Sequence, residues 1–84
     1  MTDPTQCSEY LAFIRRSIAA AGRRVAQADP EDLALLIELH AYLDDAVAVA
    51  VAGQREAGMT WQSIGEATGT TRQAAIMKWA ALNR

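Results

Sequence analysis

Few residues in this chain could do chemistry, and most stand apart from the partners that reactive groups need. His40 is the only histidine, in the run Leu39-His40-Ala41-Tyr42-Leu43. Asp44 follows one helical turn later, so a partly buried imidazole held by a carboxylate is expected rather than a general base or a metal ligand. Asp44 and Asp45 are adjacent, and adjacent helical residues point to different faces. They are expected to form a solvated edge or to meet a basic helix, not to work as a two-carboxylate acid–base pair. Cys7 is the single cysteine, which excludes an internal disulfide and a multi-cysteine zinc site. With no activating neighbour it reads as a small hydrophobe. No glycine-rich phosphate loop is present. The chain is therefore expected not to be an enzyme and to carry no cofactor or metal. What remains is Thr71-Arg72-Gln73. Arginine can contact guanine or phosphate, glutamine can bond adenine, and Thr71 with nearby backbone N–H groups can hold a phosphate.

These side chains read DNA only if a helix start presents them, and residues 59–82 supply the elements. Thr60 is suited to cap a short helix that carries Trp61 and Ile64 as apolar positions. Gly69 is suited to end it, because glycine takes the left-handed conformation without a Cβ clash. A second helix then opens, capped either by Thr70 in a box with Gln73 or by Thr71. Two short helices this close must cross on small residues, and Gly65, Ala74 and Ala75 are available. This is the layout of a helix-turn-helix. On the second helix, Ala75, Trp79 and Leu82 should pack inward. Gln73, Ile76, Met77, Ala80 and Arg84 should face outward, with Arg72 at the exposed start. Trp61 and Trp79 read as core rather than as base-stacking platforms. The expected DNA-contacting set is Thr60, Thr70, Thr71, Arg72, Gln73, Ile76, Met77, Lys78 and Arg84, with Ile76, Met77 and Ala80 able to meet thymine methyls.

The string from Arg55 to Ala75, REAGMTWQSIGEATGTTRQAA, resembles the helix-turn-helix of small actinobacterial and phage regulators, and is similar to that of the DNA-reading domain of sigma factors. The matching residues are Trp61, Ile64, Gly65, Gly69, Arg72, Gln73, Ala74 and Ala75, in the family's order and spacing. The chain departs at Thr68 and Thr70, where the family usually has apolar residues, and weaker packing around the turn is expected there. The resemblance covers the last third of the chain closely. It implies a trihelical DNA reader.

Composition sets the class. One chain of 84 residues makes one small domain with a marginal core, for which oligomerisation is a common remedy. No apolar run is long enough to span a membrane, and no basic leader with an apolar stretch follows the start, so a cytoplasmic bacterial or phage protein is expected. Net charge is −2, divided unevenly: residues 1–52 carry −4 and residues 53–84 carry +2. The acidic part can face away from DNA while the basic part faces it, though so few cations imply low non-specific affinity.

The first 52 residues read as a helical scaffold. Asp3-Pro4 with Gln6 signals a helix start. Cys7, Leu11, Ile14, Ile18, Ala21, Val25 and Ala28 then recur at alternating spacings of four and three, a heptad-like seam that fits either packing within the chain or a dimer interface. Gly22 is tolerable within it. Asp29-Pro30-Glu31-Asp32 repeats the start signal, and a long helix is expected from Pro30 to Ala57, closed by Gly58. It carries two apolar stripes: Leu33, Leu36, His40, Leu43, Val47 and Ala50; and Leu35, Leu39, Tyr42, Ala46 and Val49. Two stripes imply two packing partners. The run Ala46 to Val51 has strand-like branching but no second strand to pair with. Leu11, Ile14, Ile18, Leu35, Leu39 and Tyr42 are the expected dimerisation residues.

The expected whole is an all-α domain of four helices: two long N-terminal helices and a C-terminal helix-turn-helix that completes a trihelical reader in residues 53–84. The expected function is sequence-specific binding of double-stranded DNA by a homodimeric transcriptional regulator on a two-half-site operator. The competing class is a protein-interaction module, an adaptor or an inhibitor of a transcription factor, whose protein partner docks on the helical surface.

Overall fold

Two prolines lead the long helices. The structure, a computed structural model, describes residues 4–81. It is all-helical there: α1 Pro4–Val25, α2 Pro30–Glu56, α3 Trp61–Ala67 and α4 Arg72–Trp79. Pro4 and Pro30 each occupy a first helical position, where the missing N–H would have had no partner anyway. Arg23 and Arg24 sit in the last turn of α1, where the dipole favours cations. α1 stops at Val25, so Ala28, expected on the seam, lies in the connecting turn, its N–H bonded to the Val25 carbonyl at 3.0 Å. α2 opens with a reciprocal closure: the Asp32 N–H donates to the Asp29 carbonyl at 2.9 Å, and the Asp29 N–H donates to the Asp32 carboxylate at 3.3 Å. The β-branched run Ala46 to Val51 is helical throughout. Asp3, Leu82 and Arg84 lie outside the described residues.

The chain divides into two compact units, Met1–His40 and Ala41–Arg84, with the boundary inside α2. In the first, α1 and the start of α2 meet at an elbow, where Gly22, Val25, Ala28, Leu33 and Leu36 line a shallow groove. Away from the elbow most large apolar side chains stay in solvent. Within the seam only Ile14, Ala21 and Val25 are half-buried; Cys7 is exposed and Leu11 retains 59% of its accessible surface. Leu35, on the second stripe of α2, retains 60%. Tyr10, Phe13 and Ile37 are exposed too, although they fall outside the stripes read from the sequence. His40 is exposed rather than partly buried. It has leucines beside it in sequence, but flanking leucines bury a side chain only when another element covers their face.

The second unit builds a core from three elements. Val51 of α2, Ile64 of α3, and Ala75 and Trp79 of α4 are its buried members, with Val47 and Trp61 packed against them. Val51 belongs to neither stripe read from the sequence. The core face of α2 continues from Val47 by four residues to Val51, not by three to Ala50, because 3.6 residues per turn lets either step extend a face. Among the described residues no helix is long and apolar enough to cross a membrane.

Candidate nucleic-acid interface

The geometry around α3 and α4 is set almost entirely by local capping. Thr60 is the N-cap of α3, extended at ψ 157°, and its hydroxyl oxygen accepts the Ser63 N–H at 3.0 Å. At the other end Gly69 adopts φ +75°. The Gly69 N–H then reaches the Glu66 carbonyl at 3.3 Å, and the Thr70 N–H reaches the Gly65 carbonyl at 2.8 Å. That pair of bonds is a Schellman closure, which satisfies carbonyls the helix end leaves orphaned. Thr68 adds to it: its hydroxyl donates to the Ile64 carbonyl at 2.8 Å and to the Gly65 carbonyl at 3.3 Å. A hydroxyl here serves the helix end as an apolar side chain could not. Thr70 is half-buried beside it.

α4 is capped by Thr71, not by Thr70. The Thr71 backbone is extended at ψ 163°, and its hydroxyl oxygen accepts the Ala74 N–H at 3.0 Å. The cap also determines how closely the two helices approach. A Cβ on Gly65 would lie 2.8 Å from the Thr71 carbonyl oxygen and 2.9 Å from its carbon, both backbone atoms, so only glycine fits. Ala75 completes the crossing and is fully buried. Ala74, expected at the crossing, is exposed instead. One residue on a helix is about 100° of rotation, enough to carry Ala74 from the contact to the outer face.

Behind this pair, α2 ends in a second Schellman closure. Gly58 takes φ +98°, its N–H bonds to the Arg55 carbonyl at 3.0 Å, and the Met59 N–H bonds to the Gln54 carbonyl at 2.9 Å. The Arg55 guanidinium donates back to the Met59 carbonyl at 2.9 Å and lies 4.9 Å over the Trp61 ring. Arg55 therefore ties the end of α2 to the start of α3, a role that the adjacent Gly58 and Trp61 could have signalled.

The outer face of α4 is narrower than expected. Arg72, Gln73, Ala74 and Met77 are exposed, Met77 to 76%, whereas Ile76 and Ala80 are half-buried. Trp79 faces the core at 7% exposure and Trp61 is half-buried, as expected of core aromatics. Lys78 lies on a flank: its ammonium is 5.2 Å from the Trp79 ring centroid, and it lines a groove with Asp44, Asp45, Val47 and Ala48. Asp44 and Asp45 are both exposed. Glu66 is exposed on α3, its carboxylate accepting from the Gln62 amide at 2.9 Å. Arg72 makes no hydrogen bond or ring contact among the described residues, and is the one cation of α3 and α4 not so engaged. Thr60 and Thr71 use their oxygens as acceptors in capping, which leaves each hydroxyl proton able to donate outward.

No group of three or more His, Cys, Asp or Glu side chains that could hold a metal ion occurs among the described residues. Compared with protein families, curated proteins and solved structures, the chain matches none of them.

Proposed function

We propose that the protein is a sequence-specific DNA-binding transcriptional regulator of bacterial or phage type, acting in the cytoplasm as a homodimer, with α3 and α4 as its helix-turn-helix. The observation that carries this reading is the crossing of Gly65 on Thr71, which leaves Arg72, Gln73 and Met77 exposed along one side of α4. In this reading α4 enters the major groove and α3 crosses the phosphate backbone. Arg72 bonds guanine or a phosphate, Gln73 bonds adenine, and Ala74 and Met77 meet thymine methyls. The Thr71 hydroxyl and the first N–H groups of α4 hold a phosphate, with Thr60 and Thr70 nearby. Lys78, held beside the Trp79 ring on the flank of α4, contributes least. Ile76 contributes only through its exposed edge. Two copies would read half-sites about one helical turn of DNA apart. An electrophoretic shift with the DNA upstream of the gene tests the reading: a discrete retarded band is expected for the wild type, and none for R72A/Q73A at the same concentration.

A second reading, docking on a protein, is favoured by the exposure of Met77 beside Ala74, an apolar outer surface with Arg72 as its nearby cation. It wins if no DNA is retained at low salt while a protein partner is lost on Met77→Glu.

A further inference from the structure

The homodimer in this reading leaves open which surfaces join. Three observations in α1 and α2 bear on it. First, both helices expose large apolar side chains away from the elbow: Tyr10, Leu11, Phe13 and Ile18 on α1, and Leu35, Leu39 and Tyr42 on α2. Second, the elbow engages a different face of α2. Val25 of α1 and Leu33 and Leu36 of α2 line the elbow groove. At 3.6 residues per turn, Leu35 lies about 100° round the helix from Leu36 and about 160° from Leu33. The elbow face is thus not the face of the stripe headed by Leu35, and Leu35 and Leu39 stay exposed.

Third, the edges of the two stripes carry opposite charge. Glu31, Glu38 and Asp45 recur every seventh residue along one edge of the α2 stripe. Glu38 is one turn from both Leu35 and Tyr42, and α2 has no Lys or Arg before Arg55. On α1, Arg15 lies one turn from Leu11 and Ile18, and Arg24 one turn from Ala21; Glu9, one turn from Phe13, is the one acid of the helix against four arginines. Charged residues at the borders of an apolar helix seam select its partner. Pairing α2 with α2 would set acid beside acid, and pairing α1 with α1 would set arginine beside arginine.

From these we infer that the occupant of the α2 stripe is α1 of a second copy, and that the exchange is reciprocal. Each copy contributes one basic-edged stripe and one acidic-edged stripe, so a single twofold axis satisfies both. Association covers apolar side chains that are exposed in the single chain. The inference rests on the homodimer reading and not on DNA recognition.

Full-length chains with reversed edges test it by sedimentation in the absence of DNA. R15E/R24E and E31K/E38K should each raise the dimer dissociation constant by about tenfold or more, since ion pairs at two edges become repulsions. An equimolar mixture of the two variants should regain a species of dimer mass, because each reversed edge then meets its complement. The chain carrying all four substitutions should dimerise with itself like the wild type. If either variant alone loses helix by circular dichroism, the mixture must regain it together with dimer mass. A wild type that is monomeric at high micromolar concentration overturns the inference, as does a mixture that stays monomeric while the fourfold variant recovers; that last pattern would assign the charge pairing to a single chain. DNA binding through Arg72 and Gln73 is measured separately, so failure of one reading is distinguishable from failure of the other.

Discussion

The two units of this chain spend similar sequence on opposite solutions. The unit Ala41–Arg84 closes on itself. Its helices are short, yet both caps of α3, the N-cap of α4 and the end of α2 are satisfied by named hydrogen bonds, and Val51, Ile64, Ala75 and Trp79 form a small buried core. The unit Met1–His40 has as many large hydrophobes, and among its described residues none is buried. Apolar content therefore does not measure self-sufficiency. What distinguishes the units is whether the chain supplies a facing element for each apolar stripe.

The comparison breaks most sharply at Trp79. Trp79→Ala should cost about 3–5 kcal/mol, since a large buried aromatic leaves a cavity in a core with few other members. Chemical denaturation of the Ala41–Arg84 signals checks it, and a loss under 1 kcal/mol would mean that this core does not hold the unit together. Gly65→Ala comes next, at about 2–3 kcal/mol, because the added Cβ meets backbone rather than a movable side chain. Gly69→Val has open space around it, so its cost is conformational, about 1–2 kcal/mol for the left-handed backbone. The order Gly65 above Gly69 in thermal melts is the sharper test, since reversing it would move the tight crossing to the turn.

Smaller effects probe the other side of the comparison. Leu35→Ala should change the stability of a dilute monomer by no more than about 0.5 kcal/mol, as exposed substitutions do, yet weaken self-association. Ile14→Asp should weaken self-association more strongly, placing an unpaired charge in the α1 stripe, and should also lower monomer stability because Ile14 is half-buried. A denaturation midpoint independent of protein concentration would count against a shared interface in both cases. Thr71→Ala should cost about 1 kcal/mol through the lost cap.

What could be read from the sequence follows the same division. The caps were legible because they depend on neighbours: Thr60 before Trp61, Gly58 after α2, Gly69 after α3. The four helices and their order were legible from prolines and periodicity. Thr70 and Thr71 were indistinguishable as caps, since both precede a suitable first turn and only the Gly65 approach selects Thr71. Burial was less legible. Val51 was missed and Ala74 misassigned because one step along a helix turns a residue by about 100°. His40 looked partly buried, yet it is exposed, because periodicity reports a face and not what stands opposite it.

The central claim is that the start of α4 reads DNA bases. Its most direct test is a fluorescence-anisotropy titration of the wild type and R72A/Q73A on a selected DNA site and on a scrambled one, at two salt concentrations. The account predicts an intact fold by circular dichroism and a loss of about 1–3 kcal/mol for each base contact on the selected site. It predicts a smaller loss on the scrambled DNA, unless Arg72 contacts only phosphate, in which case both sequences weaken and the salt slope falls by about one. Equal binding of the wild type and the folded variant to both DNAs at both salts would contradict it.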